Sequence, residues 1–402
     1  MRRFLSSAAA TTSVRGGTLY AWGSGELGVE FAKSLTNTTN KSFVPIVVDP
    51  QTTSEITSIA AGHTHSLFST EEGKVFAFGN NSFGCLGHAP FSPTKADDRV
   101  AIPTPVQGVE SIHQVACGHG YSAALNTRGE LFTWGFHQSF VYGVGALGRQ
   151  ANDEQDFTPG KVFVGGEEND IRLKAISCGA QHMMGLGLDG EVWSWGKGAN
   201  GMQGNGDSID QPFPQPVSYF VDTNVVVKQI ASGADFNLAV DVQGKVYSWG
   251  ANTRGQLGLG GGFSMDLENM PRMIDFFEKE GIAITQISAG NCHACAVTDK
   301  GEVYTWGYSA WTEPHLVSKH TLLEGKRVIK TSSGKNFSAA ITDSGEVYTW
   351  GKNYFVQRLG CLGTGTDHPY SKRQPELVKD ICVRDVSCGD THVLAVGGLP
   401  LI

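Results

Sequence analysis

Residues 233–258 read GADFNLAVDVQGKVYSWGANTRGQLG, and the parsing of this stretch decides the fold. Gly233 is followed three residues on by Phe236, eleven on by Gly244 and seventeen on by Gly250, which directly follows Trp249. Apolar positions alternate on both sides of Gly244, the pattern of a β-hairpin that turns at a glycine. The same 17-residue interval recurs at Gly62/Gly79, Gly118/Gly135, Gly179/Gly196, Gly290/Gly307 and Gly334/Gly351, with turn glycines at Gly73, Gly129, Gly190, Gly301 and Gly345. The second strands end in Phe78, Trp134, Trp195, Trp249, Trp306 and Trp350, each followed by glycine.

Working outward from the hairpin, a Pro-x-x-Val/Ile segment recurs with starts at Pro45, Pro103, Pro159, Pro214, Pro271, Pro314 and Pro375. Proline has no N–H to give a central ladder, so this segment is the edge strand of its sheet. A run ending in the first glycine, such as VKQIASG, supplies a fourth strand. Four short strands repeating at about 50 residues describe a propeller blade. A seventh copy opens at Gly389 with CGDTHVLAV and stops before a second hairpin strand. Its missing half stands at the other end, where Gly17 precedes Trp22 by five residues, as Gly73 precedes Phe78. The expectation is therefore all-β: a seven-bladed β-propeller of four-stranded blades, closed by N- and C-terminal strands sharing the last blade. Such closure leaves no half-built blade with an unpaired strand to recruit other chains.

The first residues, MRRFLSSAAATTSVRGG, carry Arg2, Arg3 and Arg15 and no acid before Glu26. That is the composition of a mitochondrial transit peptide, assigned to 1–16, with a disordered basic tail as the alternative; the single propeller domain is assigned to 17–402. The chain is 40% hydrophobic and 17% charged, with no apolar run long enough for a membrane span. Its net charge is −8; without the three leader arginines, 28 basic face 39 acidic residues, or −11. Phosphate backbones would be repelled, so direct nucleic-acid binding is disfavoured.

Eight cysteines follow the repeat rather than a metal or disulfide pattern. Cys117, Cys178 and Cys388 each precede a first glycine, where other copies have Ala or Ser, and read as small apolar fillers. Cys292 and Cys295 form a lone Cys-x-x-Cys without the second ligand pair of a structural zinc site, so no metal is expected. Gly23–Gly28, GSGELG, matches a dinucleotide fingerprint but is one copy of a loop repeated at 84–87 and 255–258, with no crossover helix after it. His65, His182, His293 and His392 alternate in register with Tyr121, Phe236 and Phe337, which marks a packing position. No catalytic constellation and no cofactor are read from the chain.

On GHTHSL…VFAFGNNSFGCLG, GAQHMMGL…VWSWGKGANGMQG and GADFNLAV…VYSWGANTRGQLGLG, the chain resembles the regulator of chromosome condensation repeat family over about residues 17–397. The resemblance implies a seven-bladed propeller. It also implies a choice of functions, because the nuclear founder loads GTP onto a small GTPase with an inserted wedge and acidic loops on one face. Here the matching connection, FHQSFVYGVGALG, is about five residues longer than its counterpart at 78–87 and offers Phe136, His137, Phe140 and Tyr142 as a contact surface. The founder's acidic positions fall on His119 and Gln181, whereas His293 and His392 match histidines of its face. The founder's basic nuclear-localising tail is missing, and so is the Gly-Trp-Arg repeat of the family's photoreceptors.

Other irregular connections complete the candidate contacts. WGYSAWTEPHLV lacks the Gly-x-Leu-Gly segment and exposes or tucks Trp311; WGKNYFVQRLGCLG carries Tyr354 and Phe355; and 260–281 has room for a short helix over Phe276 and Phe277. Asp235 and Asp390, in the loops after Gly233 and Gly389, join the partner-binding set. The reading is a mitochondrial, non-enzymatic scaffold or assembly factor, in the matrix or on the matrix face of the inner membrane, that binds one or more proteins. Members with organelle leaders, the resemblance implies, serve respiratory-complex or mitoribosome assembly, organellar RNA processing, or exchange on a dynamin-like GTPase. The alternatives are a guanine nucleotide exchange factor for a small or dynamin-like GTPase, with 136–144 as wedge, and a cytosolic adaptor that stays cytoplasmic.

Overall fold

The computed structural model describes residues 17–25, 27, 41–81, 83–88, 99–136, 145–149, 155–163, 172–261, 267–351, 360–365 and 372–400. Each hairpin turns where the sequence places it: Gly244 has φ +86°, and its N–H donates to the Asp241 carbonyl at 3.0 Å. Around the hairpins the strands assemble into seven four-stranded antiparallel sheets. Numbering blades from the first complete one, blade 1 spans 56–106, blade 2 spans 112–161, blade 3 spans 173–216, blade 4 spans 227–273, blade 5 spans 284–316 and blade 6 spans 328–378.

Blade 7 is the composite. Its order is Lys41–Val48, Leu19–Ser24, His392–Gly397, Val383–Cys388, with Leu19 opposite Val396 and Trp22 opposite Val393. In every blade the proline-bearing strand is outermost, where a missing N–H costs no central ladder bond. The run before the first glycine is the opposite, inner strand.

The aromatic-Gly pair has a steric reason. The pairing of 246–250 with the outer strand slips between Ser248 and Gly250, and Gly250 takes φ +106°. A Cβ there would lie 2.6 Å from the Asp235 carbonyl oxygen and 2.7 Å from the Phe236 Cα, so only glycine fits. The preceding aromatics fill the seams between blades. Trp22, Phe78, Trp134, Trp195 and Trp249 are 0% exposed, Trp306 is 1% and Trp350 is 6%. Burying a ring of this size is worth about 4–6 kcal/mol as an upper bound.

A loop from the preceding blade closes over five of the tryptophans, Trp350 being the exception. The Trp134 indole N–H donates to the Cys85 carbonyl, and Trp195, Trp249, Trp306 and Trp22 donate likewise to Ala146, Met202, Gln256 and Cys361, at 2.9–3.1 Å. Each acceptor is the second residue of a Gly-x-Leu-Gly or Gly-Met-Gln-Gly segment. The last glycine of the segment abuts the indole: a Cβ on Gly258 would sit 2.8 Å from the Trp306 Nε1.

The helix expected near Phe276 and Phe277 is present as Asp275–Lys279, with Phe277 buried against Tyr304 and Trp306. A matching helix, Ser218–Asp222, puts Phe220 against Tyr247 and Trp249 and was not anticipated. Among the described residues no helix is long and apolar enough to cross a membrane. All eight cysteines are thiols, and burial raises those of Cys85, Cys178 and Cys388 to about 12.

Candidate functional site

The seven first glycines meet at the ring axis, and the backbone around them is tied from blade to blade. The amides of Ala180, Ala234, Asn291, Lys335 and Asp390 donate to carbonyls of the next blade, those of Ala234, Gly290, Gly334, Gly389 and Gly62, at 3.1–3.3 Å. The residue after each glycine therefore lines a central funnel with a cavity of about 490 Å³. At the position after the glycine, His63, His119, Asn291, Lys335 and Asp390 make one arc of this lining polar, whereas the other arc has Ala180 and Ala234 there, with Gln181, Lys197 and Asp235 beside them.

On the polar arc, His63 Nδ1 lies 2.5 Å from Asp390 Oδ2, and the Lys335 ammonium donates to the same oxygen at 3.2 Å. His119 packs edge-on against His63, with ring centroids 3.9 Å apart. Burial works to raise the Asp390 pKa, but the hydrogen bond and electrostatic interaction with His63, together with the Lys335 ammonium, outweigh it and hold the carboxyl below its ordinary value. Burial, reinforced by His63, lowers His119. The ligand atoms of His63, His119 and Asp390 all lie within 4.8 Å of one another, a donor set that suits a transition-metal ion. Lys335 already neutralises the only carboxylate of that set. The thiols beneath the ring, Cys117, Cys178 and Cys388, are all raised by burial, so none is an activated nucleophile. The arrangement presents a cluster of hydrogen-bonding groups on the funnel wall.

The structure brings some of the expected contact residues together. Asp235 and Asp390 both line the funnel, with Asp235 exposed. Phe136 stands at a strand end beside the funnel and packs on Phe83, which is 40% exposed, with centroids 5.4 Å apart. Phe83 borders Gly120, next to His119. Trp311 is exposed rather than tucked: it opens the outer strand Trp311–Leu316 and stacks on His315, 3.8 Å between centroids. His137, Phe140, Tyr142, Tyr354 and Phe355 lie outside the described residues, as does the 1–16 leader.

One expectation is corrected. His293 and His392, matched above to face histidines, do not reach the face; they are 6% and 3% exposed, walled between blades. His293 Nε2 meets Ser338 Oγ at 2.8 Å, and His392 Nε2 meets Ser66 Oγ at 2.7 Å. Side-chain direction in the strand sends position +3 into the seam, as the Tyr and Phe of sister copies already indicate. The His63–His119–Asp390 cluster itself was missed as a group. Its only sequence signal is that the residue after each first glycine must share one ring.

Comparison with known proteins bears on this ring. The family pattern described as the regulator of chromosome condensation (RCC1) repeat matches residues 16–69, 72–125, 189–240, 243–297 and 344–396. The chain is 31% identical over 301 residues to the Arabidopsis thaliana "RCC1 domain-containing protein RUG3, mitochondrial", covering 72% of this chain and 61% of that protein. It is also 31% identical over 256 residues to the human "Probable E3 ubiquitin-protein ligase HERC6", covering 63% of this chain and 23% of that protein. The chain thus spans less than two thirds of either relative. Among solved structures, human WBSCR16 superposes with a TM-score of 0.78 at 25% identity, covering 96% of this chain and 100% of that one. Prp20p from Saccharomyces cerevisiae gives 0.79 at 22%, covering 97% and 93%, a likeness of fold.

Proposed function

The chain belongs to the regulator of chromosome condensation (RCC1) repeat family, and from that premise we propose that it is a non-enzymatic docking propeller that holds partner proteins in mitochondria. The observation that carries the docking reading is the juxtaposition of an exposed aromatic shoulder, Phe83 on Phe136, with the polar funnel of His63, His119 and Asp390. Aromatic anchors beside hydrogen-bonding groups are what protein interfaces use. The compartment is supported by the basic, acid-free leader and by a relative named as mitochondrial.

The test joins both halves. The first 20 residues fused to a reporter should direct it into mitochondria, and tagged full-length chain should co-purify a matrix protein that a Phe83→Ala/Phe136→Ala double variant loses. A reporter left in the cytosol points to the cytosolic adaptor instead, and co-purification indifferent to the double variant removes this face from the interface.

Nucleotide exchange on a GTPase is the second reading, favoured by the length of the 136–144 connection in the sequence, which begins at Phe136. The similar Prp20p has been described for its binding to Gsp1p and histones. Against it, Gln181 stands where the founder has an acid and is engaged by the Lys197 ammonium at 2.9 Å. Accelerated release of labelled GDP from a matrix GTPase, abolished by deleting 137–144, establishes exchange and overturns a purely scaffolding role.

A further inference from the structure

The seam between blades 5 and 6 is built like its neighbours except for one missing part. Elsewhere, a Gly-x-Leu-Gly loop of one blade plugs the seam beneath the next blade's aromatic, its third residue buried: Leu86, Leu257 and Gln203 are 0% exposed, Leu147 1% and Leu362 4%. The carbonyl of its second residue takes the indole N–H, and in two seams it also takes Ser122 Oγ (2.7 Å, to Cys85) or Asn237 Nδ2 (2.8 Å, to Met202). The next carbonyl takes a hydroxyl from the loop's own blade, as Ser248 Oγ donates to Leu257 at 2.8 Å and Thr349 Oγ1 to Leu362 at 2.6 Å.

Blade 5 has no such loop. Tyr308 and Ser309, at φ +55° and +54°, form a two-residue hairpin turn closed by Ala310 N–H donating to the Gly307 carbonyl at 3.0 Å, and the chain enters its outer strand at once. A cavity of about 610 Å³ stands where the plug would be, lined in part by Thr305, Trp311, Val317, Ser338 and Trp350. The donors that grip a plug elsewhere are present. The Trp350 indole N–H, unlike those of the other seam tryptophans, has no acceptor among the described residues. The Thr305 hydroxyl turns back to the Ala294 carbonyl at 2.9 Å, and among the described residues the Ser338 side chain meets only His293 and Cys295.

We propose that this seam is a receptor for a partner protein's loop of the Gly-x-Leu-Gly kind, which enters beside Trp311, buries its leucine between blades 5 and 6, and gives a carbonyl to the Trp350 indole. The occupant is identified by the sister seams, which show five times what the same donors and the same wall hold. The slot deepens the docking reading and rests on it, by naming the chemistry of one partner segment.

A fluorescein-labelled peptide copying 252–260, NTRGQLGLG, tests the slot by anisotropy against the full chain. Saturable binding is expected, lost when the peptide's first leucine is replaced by aspartate and weakened about 3- to 10-fold by Trp350→Phe, which deletes the N–H but keeps a ring. Replacing 308–310 with the sequence of 251–258 should fill the slot from within, abolish peptide binding and raise the melting temperature. Trp350→Phe serves alone if that graft does not fold. Absence of saturable binding, or binding indifferent to the peptide's leucine or to Trp350→Phe, overturns the proposal. If co-purification still depends on Phe83 and Phe136, only the slot falls; if both fail, the docking reading falls with it.

Discussion

The seam between blades 4 and 5 and the seam between blades 5 and 6 use the same strands, turns and aromatic positions, yet one is finished and the other is open. In the first, Trp306 is capped by Gln256 and Leu257, and position +3 of blade 4 is Phe236, 0% exposed. In the second, Trp350 faces a cavity, and the corresponding position of blade 5 is His293. A blade therefore encodes its own hairpin but not its own completion, which depends on the connection its neighbour supplies.

Truncation should expose the difference most strongly. Trp306→Ala is expected toward the upper end of the about 3–5 kcal/mol typical of buried aromatics, because it opens a void in a full seam, while Trp350→Ala enlarges an existing one and falls at or below the lower end. Equal losses in urea denaturation would break the comparison. Acid is the next probe. Burial lowers His293 from 6.5 to about 4, so the folded protein keeps it neutral and the unfolded chain takes the proton first. Its contribution is whole above about pH 6.5 and is lost as pH falls toward 4, about 3 kcal/mol in all. His293→Phe, copying the closed seam, should flatten that part of the stability-versus-pH curve by one proton.

Smaller effects sharpen the same contrast. Trp306→Phe leaves the Gln256 carbonyl without its indole donor and should cost about 1–3 kcal/mol, whereas Trp350→Phe removes an N–H that has no acceptor among the described residues and should stay within about 0.5 kcal/mol in the unliganded chain. Ser309→Gly relieves a left-handed residue in the shortened turn and should stabilise by about 0.5–1 kcal/mol, read as a higher urea midpoint.

The ring was legible because its rules are local and repeated. The 17-residue interval, the turn glycines and the edge prolines each follow from strand geometry, and Trp22 does pair with the last strand, at Val393. The buried role of position +3 was legible too, from the interchange of His with Tyr and Phe; matching His293 and His392 to a face ignored that signal. What sequence could not give is adjacency across the ring. His63 and Asp390 are 327 positions apart and touch only because the circle closes. The missing loop at 308–310 was visible as a shortened connection, but its effect falls on Trp350, a blade away. Phe83, the partner of Phe136, carried no periodic signal at all.

Blade 7 ties strand 19–24 to strand 392–397, so the earliest part of the ring to be synthesised waits for the latest. Local hairpins can form as the chain emerges, but the circle cannot lock until strand 392–397 has been made, which makes its closing step slow and dependent on that strand. Chain breakage near residue 390 would remove strand 392–397 and leave Leu19–Ser24 as a raw edge, turning a self-contained ring into one able to pair with strangers.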